Sequence, residues 1–165
     1  MITLVLGGAR SGKSVVAERL AAGLGGPVTY MATLVTGDDA DLGARIDVHR
    51  RRRPADWTTV EPGPGLAGAL RTTTGTVVVD SLGPWVAAAP AMAVDAADLC
   101  AALVGRRGDT VLVSEEVGMG VHPATEAGRA FRDALGSLNQ AVAAVADDVL
   151  LAVAGRVLRL EDGPR

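Results

Sequence analysis

The chain has 165 residues, 48% of them hydrophobic and 21% charged, and this length predicts a single domain, residues 1–165, since domains commonly hold roughly 100–200 residues. Its one cysteine, Cys100, excludes a disulfide framework and a four-cysteine zinc site, and is expected to pack in the core. The formal net charge of -3 argues against a nucleic-acid partner, and because no stretch suits a signal peptide or a membrane span, we expect a soluble, cytoplasmic protein.

Short β-branched runs alternate along the chain with longer segments rich in alanine and leucine. The pattern predicts strands at 2–6, 28–32, 57–61, 76–80, 110–114, 149–154 and 157–160. Helices are predicted at 13–24, around 38–52, at 95–106, and from an N-cap at Thr125 to 146. Residues 62–65 are expected to be flexible, and 87–97 show no clear pattern. Strands separated by helices predict a three-layer α/β fold with a mostly parallel central sheet and a short antiparallel end.

A glycine-rich loop with the pattern G-x-x-x-x-G-K-[ST] follows the first strand. Its residues are Gly7, Gly8, Ala9, Arg10, Ser11, Gly12, Lys13 and Ser14. Backbone N–H groups of such a loop surround a phosphate, and the N-terminus of the next helix adds positive partial charge. Lys13, the only lysine of the chain, is expected on the β- and γ-phosphate oxygens, and Ser14 on Mg²⁺. The loop therefore predicts a P-loop NTPase-like domain that binds GTP or ATP.

A phosphate loop of this kind needs an acidic partner for the metal on a neighbouring strand. Asp80, which ends the run TVVVD, is the main candidate, and Glu116, which follows TVLVS, is the other. Asp80 could instead cap a helix or a turn, and Glu115 and Glu116 could be solvated acids at a strand end. The acids at 38–41 are explained more simply as first-turn residues of a helix than as a metal cluster. We therefore predict Ser14 and Asp80 as the metal ligands.

His49 lies in the run ARIDVHRRRRP, directly before four arginines. Chemistry alone leaves two interpretations open. One is a solvated basic helix face that carries an incidental histidine. The other is a nucleophilic imidazole whose neutral ring nitrogen attacks phosphorus, while neighbouring arginines neutralise charge on the phosphate oxygens. Those arginines are Arg50, Arg51, Arg52 and Arg53. The second histidine, His122, is assigned no role.

Five segments in a fixed order together resemble one family. They are GGARSGKS after the first strand, YMAT at 30–33, ARIDVHRRRRPADW at 44–57, EVGMGVHP at 116–123 and FRDALGSLNQAVAAVADDV at 131–149. The chain resembles the bifunctional adenosylcobinamide kinase/adenosylcobinamide-phosphate guanylyltransferase family of cobalamin biosynthesis. The similarity runs from the first strand to the last and is weakest in the alanine-rich middle, residues 62–107.

This resemblance implies two reactions on one P-loop domain. The first phosphorylates the aminopropanol hydroxyl of adenosylcobinamide from a nucleoside triphosphate, and the second transfers GMP from GTP to that phosphate. The family uses a histidine that becomes covalently guanylylated, and His49 is the matching position. A homo-oligomer is also implied, as members form ring-like trimers. The implied GTP-binding set comprises the loop residues 7–14, Ala32, Thr33, Leu34, the four arginines at 50–53, Glu61 and Asp80.

Two departures accompany the resemblance. Asp80 stands where some members have glutamate, and Val48 stands where some have a second histidine. Two other functions also remain open. A plain small-molecule P-loop kinase would transfer phosphate without forming a covalent nucleotide. A nucleotide-dependent switch would be expected to carry a guanine-recognition motif such as NKxD, which this sequence lacks.

Overall fold

In a computed structural model, which describes residues 1–34 and 53–163, the chain is built around one seven-stranded sheet. Its strands are β1 (Ile2–Gly7), β2 (Val28–Ala32), β3 (Thr58–Val60), β4 (Thr76–Asp80), β5 (Thr110–Glu115), β6 (Asp148–Val153) and β7 (Arg156–Leu160). The order across the sheet is β3-β2-β4-β5-β1-β6-β7, and every neighbouring pair is parallel except β6 and β7. The predicted mostly parallel sheet with a short antiparallel end is confirmed.

Helices fill most of the connections between the parallel strands. They are α1 (Lys13–Leu24), α2 (Leu66–Thr72), α3 (Leu82–Ala88), α4 (Ala96–Gly105) and α5 (Glu126–Ala143), with 3₁₀ turns at Gly63–Gly65 and Pro90–Met92. The Thr125 side chain accepts a hydrogen bond from the Gly128 N–H, so the predicted N-cap of α5 is confirmed. No helix in the described ranges combines the length and the apolarity needed to cross a membrane.

The interior strand β4 contributes side chains to the core on both faces of the sheet. Val77 and Val79 pack with leucines of α2, α4 and α5, whereas Val78 packs with the alanines of α1 on the opposite face. Since successive residues of a strand point to opposite faces, burial on both sides explains the uninterrupted apolar run of this strand. Cys100 of α4 is partly buried against the first of these clusters, as expected. The resulting three layers confirm the predicted fold class.

Several elements differ from the sequence prediction. Helices α2 and α3 were missed because each has only seven residues, too few to display a helical period. The segment 62–65, expected to be flexible, forms the 3₁₀ turn at Gly63–Gly65 that leads directly into α2. Helix α5 ends at Ala143, short of the predicted end at 146. The helix predicted around 38–52 lies outside the described residues.

The loops that precede β4 and β5 are in close contact at the amino ends of these strands. The Arg106 guanidinium joins them, since it donates to the carbonyl oxygens of Thr73, Gly75 and Asp109. Gly108 lies in the same contact with a φ of 122°, and a Cβ atom there would be 2.3 Å from the Gly75 carbonyl oxygen. Both the backbone conformation and the space therefore require glycine at this position.

We expect Gly108→Ala to lower the free energy of unfolding by at least about 2 kcal/mol, because strain and overlap act together. Gly136→Ala is the matched control. Gly136 lies inside α5 with no atom within 4 Å of an added Cβ, and alanine there should stabilise the protein by about 0.5–1 kcal/mol. Urea unfolding followed by circular dichroism measures both changes. Equal effects of the two substitutions would contradict this account of the loop contact.

Candidate functional site

The phosphate loop and the two predicted acidic strand ends meet at one edge of the sheet. Strands β1, β4 and β5 are mutually parallel, so their carboxyl ends lie at the same edge, where ligands of α/β folds commonly bind. The register pairs Gly7 with Glu115 and Ala32 with Asp80. Parallel pairing therefore brings residues far apart in sequence to the start of α1.

Backbone contacts hold the loop between β1 and α1 in its conformation. Gly12 has a φ of 91°, in the left-handed region that favours glycine. A Cβ atom at Gly7 would lie 2.4 Å from the Ser11 hydroxyl oxygen, so only glycine fits where the loop begins. The tight turn between β6 and β7 supports the loop from the side, because the Gly155 N–H donates to the Ser11 carbonyl oxygen at 2.8 Å. Ala9 and Arg10 form the exposed tip.

Lys13 and Ser14, the first residues of α1, each face a different carboxylate. The Ser14 hydroxyl donates to Asp80 Oδ1 at 3.2 Å. The Lys13 ammonium donates to the Gly8 carbonyl oxygen at 3.3 Å and lies 3.5 Å from Glu115 Oε1. Of the two acids at the ends of neighbouring strands, Asp80 therefore contacts the Ser14 hydroxyl and Glu115 contacts the Lys13 ammonium.

Tyr30 of β2 fixes the position of Asp80 through a hydrogen bond. The Tyr30 hydroxyl donates to Asp80 Oδ2, and the tyrosine is almost fully buried. Burial, together with the negative charge of Asp80, raises the pKa of Tyr30 well above its ordinary value, so the hydroxyl keeps its proton and remains a donor. The Arg53 guanidinium carbon lies 3.5 Å from the centre of the tyrosine ring, a cation–π contact.

The segment after β2 is tied to the same strand end. The Thr33 N–H donates to the Asp80 carbonyl oxygen at 3.3 Å, and the Ser81 N–H donates to the Thr33 hydroxyl oxygen at 2.9 Å. These bonds bring the predicted nucleotide-binding residues Ala32, Thr33 and Leu34 beside Asp80.

An open cavity of about 550 Å³ is lined in part by Trp57, whose ring centre lies 6.5 Å from that of Tyr30. This volume is in the range of about 300–1,000 Å³ that is typical of small-molecule sites. Arg53 and Glu61, both predicted to bind GTP, line it together. Arg53 is held there by a hydrogen bond of 3.2 Å from its Nη1 to the Thr59 hydroxyl. The cavity is lined by Arg53, Pro54, Ala55, Trp57, Thr59 and Glu61.

The Ser14 and Asp80 oxygens fit the needs of Mg²⁺. This ion is commonly held by one or two protein oxygens together with water and substrate phosphates, so a larger cluster is not required. Among the described residues, no group of three or more His, Cys, Asp or Glu side chains is suited to holding a metal. The other candidate, Glu116, turns to its own loop, where its carboxylate accepts from the Gly118 and Met119 N–H groups at 2.9 and 3.1 Å.

His49, Arg50, Arg51 and Arg52 lie outside the described residues, so their positions relative to the loop stay predictions. His122 is exposed, with its Nδ1 atom 2.8 Å from Arg132 Nη1. Tyr30 has no role predicted from the sequence, and Glu115 is predicted only as a possible solvated acid at a strand end. The signals in the sequence are that Tyr30 is the only tyrosine of the chain and that Glu115 directly follows the strand run TVLVS.

A family model described as cobinamide kinase / cobinamide phosphate guanyltransferase matches residues 3–160. The chain belongs to this family. A family relative, the bifunctional adenosylcobalamin biosynthesis protein CobP of Pseudomonas aeruginosa, is 40% identical over 173 residues, covering 99% of each chain. The bifunctional adenosylcobalamin biosynthesis protein CobU of Salmonella typhimurium is 39% identical, over 94% of this chain and 97% of its own length. The resemblance found in the sequence is confirmed.

Among solved structures, the flagellar accessory protein FlaH of Methanocaldococcus jannaschii superposes on this cobinamide kinase / cobinamide phosphate guanyltransferase family member with a TM-score of 0.51. The match covers 94% of this chain and 74% of FlaH, at 15% sequence identity. At that identity the likeness concerns the fold alone, which is consistent with a P-loop NTPase-like domain.

The Tyr30→Phe substitution tests the support of Asp80, because it removes the hydroxyl but keeps the ring beneath Arg53. We expect it to lower the free energy of unfolding at pH 7 by about 1.5–3 kcal/mol, the usual contribution of a hydrogen bond to a charged group. Urea unfolding of the two proteins measures the difference. A change within experimental error would contradict the hydrogen bond.

The stability difference between wild type and Tyr30→Phe should also depend on pH, in a direction that follows from the pKa of Tyr30. The pKa of Tyr30 is higher in the folded than in the unfolded chain. The contribution of its hydroxyl to the free energy of unfolding is therefore complete below pH 10, the ordinary pKa of tyrosine, and is lost as pH rises above that value. We therefore expect the stability difference between wild type and Tyr30→Phe to shrink above pH 10. A difference that grows with pH in this range would show that Tyr30 ionises more readily when folded.

Proposed function

We propose that this chain catalyses two successive reactions on a corrinoid. It phosphorylates the aminopropanol hydroxyl of adenosylcobinamide with ATP or GTP, and then transfers GMP from GTP to that phosphate to give adenosylcobinamide-GDP. The observation that carries this proposal is the arrangement of Lys13 and Ser14 opposite Glu115 and Asp80, in a chain that the family model matches over residues 3–160. The relatives' description as bifunctional supports two activities rather than one.

For the first reaction, the phosphate loop binds the triphosphate and orients its terminal phosphoryl group. Backbone N–H groups of the loop and the start of α1 donate to phosphate oxygens, and the Lys13 ammonium offsets charge on the β- and γ-phosphates. Ser14 and Asp80 would hold Mg²⁺, which supplies further charge neutralisation when bound. The acceptor hydroxyl oxygen attacks the γ-phosphorus and its proton passes to solvent. The bond between the γ-phosphorus and the β–γ bridging oxygen breaks, and the nucleoside diphosphate leaves with that oxygen.

For the second reaction, His49 acts as the nucleophile. A neutral ring nitrogen attacks the α-phosphorus of GTP, the bond between that phosphorus and the α–β bridging oxygen breaks, and pyrophosphate departs. The product on the protein is a GMP–histidine phosphoramidate. A phosphate oxygen of the corrinoid then attacks the same phosphorus and frees the histidine. The covalent step separates two highly anionic substrates, so that only one of them meets the histidine at a time. Arg50, Arg51, Arg52 and Arg53 offset the phosphate charge in both halves.

The cavity lined by Trp57, Arg53 and Glu61 is the proposed site of the guanine base. The Glu61 carboxylate can accept hydrogen bonds from the N–H groups of guanine, which adenine does not present in the same pattern. Arg53, fixed between the Tyr30 ring and Thr59, can contact the base or its ribose phosphate. Tyr30 connects this cavity to the phosphate loop, since its ring contacts Arg53 and its hydroxyl donates to Asp80, which accepts from Ser14. These contacts support a single site for the base and the phosphates of one nucleotide.

We also propose that residues 1–165 act as one domain and that the protein assembles as a homo-oligomer. In support, the edge strand β7 exposes the apolar side chains of Val157, Leu158 and Leu160. An exposed apolar edge strand is a surface that a second chain commonly covers. Light scattering coupled to size-exclusion chromatography measures the oligomeric state.

The two reactions are followed by mass spectrometry of the corrinoid. With adenosylcobinamide, ATP and Mg²⁺, the purified protein should add one phosphoryl group, and later addition of GTP should convert that product to the GDP-linked corrinoid. Lys13→Ala should slow the first step by about 100-fold or more, because one charged group that stabilises the transition state is lost. A corrinoid of unchanged mass in every mixture would contradict the proposal.

The covalent step is tested with GTP labelled with ³²P at the α-phosphate. We expect protein-bound label that survives denaturation, is lost in acid, resists alkali and disappears in His49→Ala, while that variant still phosphorylates adenosylcobinamide. If wild-type protein binds GTP but takes up no label, the covalent route is wrong, and a plain P-loop kinase becomes the better description.

A further inference from the structure

Glu115 lies in the site but belongs neither to the predicted metal ligands nor to the predicted nucleotide-binding residues. It is the last residue of β5, the strand that lies between β1 and β4 in the sheet. The register pairs it with Gly7, the first residue of the phosphate loop. Glu115 therefore lies beside the first residue of the loop, one strand closer to the loop than Asp80.

The Glu115 carboxylate joins three separate elements. Its Oε1 atom accepts from the Ser81 hydroxyl at 2.8 Å and lies 3.5 Å from the Lys13 ammonium. Its Oε2 atom accepts from the Gly83 N–H at 3.0 Å. The Lys13 side chain is 13% exposed and that of Glu115 is 26% exposed, so the pair is largely shielded from solvent. One carboxylate thus fixes the start of α1, the end of β4 and the start of α3.

The glycine at position 83 is shaped to this carboxylate. A Cβ atom there would lie 2.1 Å from Glu115 Oε2, so any larger residue must displace the acid. The adjacent acid, Glu116, takes a different role, since its carboxylate holds the backbone of the following loop. Of two consecutive glutamates, one is therefore committed to its own loop and the other to Lys13 and Ser81.

A carboxylate beside a phosphate-binding ammonium opposes nucleotide binding, because it competes for Lys13 and repels the phosphates. A site that only had to bind the nucleotide would bind it more tightly without this carboxylate. An interaction that lowers affinity but fixes the orientation of a catalytic cation acts instead on the transition state.

We propose that Glu115 is a positioning residue for phosphoryl transfer: it orients the Lys13 ammonium and the Ser81 hydroxyl toward the terminal phosphoryl group of the nucleotide. This inference rests on the proposed kinase activity for its rate effect. Its effect on nucleotide affinity follows from the contacts of Glu115 alone and is measured without any corrinoid. Glu115 forms no bond to substrate in this role.

Glu115→Gln removes the charge at nearly constant shape. We expect the dissociation constant of a fluorescent nucleoside triphosphate to fall by about three- to tenfold, with a smaller change for the diphosphate. We expect kcat for corrinoid phosphorylation to fall by about tenfold or more, while the KM for nucleotide falls or stays constant. Glu115→Asp should recover part of kcat, which a general loss of folding would not allow.

Gly83→Ala keeps the charge but displaces the carboxylate. We expect it to lower kcat without the gain in triphosphate affinity seen for Glu115→Gln. Glu126→Gln, the same chemical change at an exposed position in the first turn of α5, is the matched control and should alter neither quantity. Thermal unfolding of each variant identifies any that fail to fold.

Two results would overturn the proposal. One is a Glu115→Gln protein, folded by thermal unfolding, whose triphosphate affinity is unchanged or weaker. The other is a kcat equal to that of wild type. If wild-type protein leaves adenosylcobinamide unphosphorylated, the proposed activity is wrong, and the affinity measurements still decide whether Glu115 acts on Lys13.

Discussion

The site depends on two contacts across the carboxyl edge of the sheet, Ser14 with Asp80 and Lys13 with Glu115. Each joins the first turn of α1 to the end of a parallel strand, and neither exists unless β1, β4 and β5 run in the same direction and in this order. The left-handed backbone at Gly12 leads from the loop into α1, whose first two residues contact these acids. Fold and site are therefore set by the same arrangement.

A second set of contacts extends from this pair to the cavity beside Trp57. Asp80 accepts from Tyr30, and the ring of Tyr30 carries the Arg53 guanidinium, which lines the cavity with Glu61. Burial keeps the tyrosine hydroxyl protonated, so it serves as a fixed donor rather than as a charge. In the proposed enzyme, this chain of contacts links the part of the site that would hold the base to the part that would hold the metal and phosphates.

Local sequence patterns predicted much of this structure. The bounds of α1, β2 and β4 agree with the sequence analysis, because a glycine loop with a lysine and a run of valines are local signals. The roles of Tyr30 and Glu115 were not predictable, since they depend on which strands are neighbours and on their register. Helices α2 and α3 were too short to show a period. His49 rests on the sequence alone, because residues 35–52 are not described.

The most direct test of this account is a crystal structure with Mg²⁺ and a GTP analogue that cannot be cleaved at its terminal phosphate. We expect the triphosphate in the loop, with the Lys13 ammonium in hydrogen-bond contact with its β- and γ-phosphate oxygens and with Ser14 and Asp80 at the metal. We also expect the base beside Arg53 and Glu61. A triphosphate bound away from the loop, with Lys13 out of contact with its β- and γ-phosphate oxygens, would contradict this structure of the site.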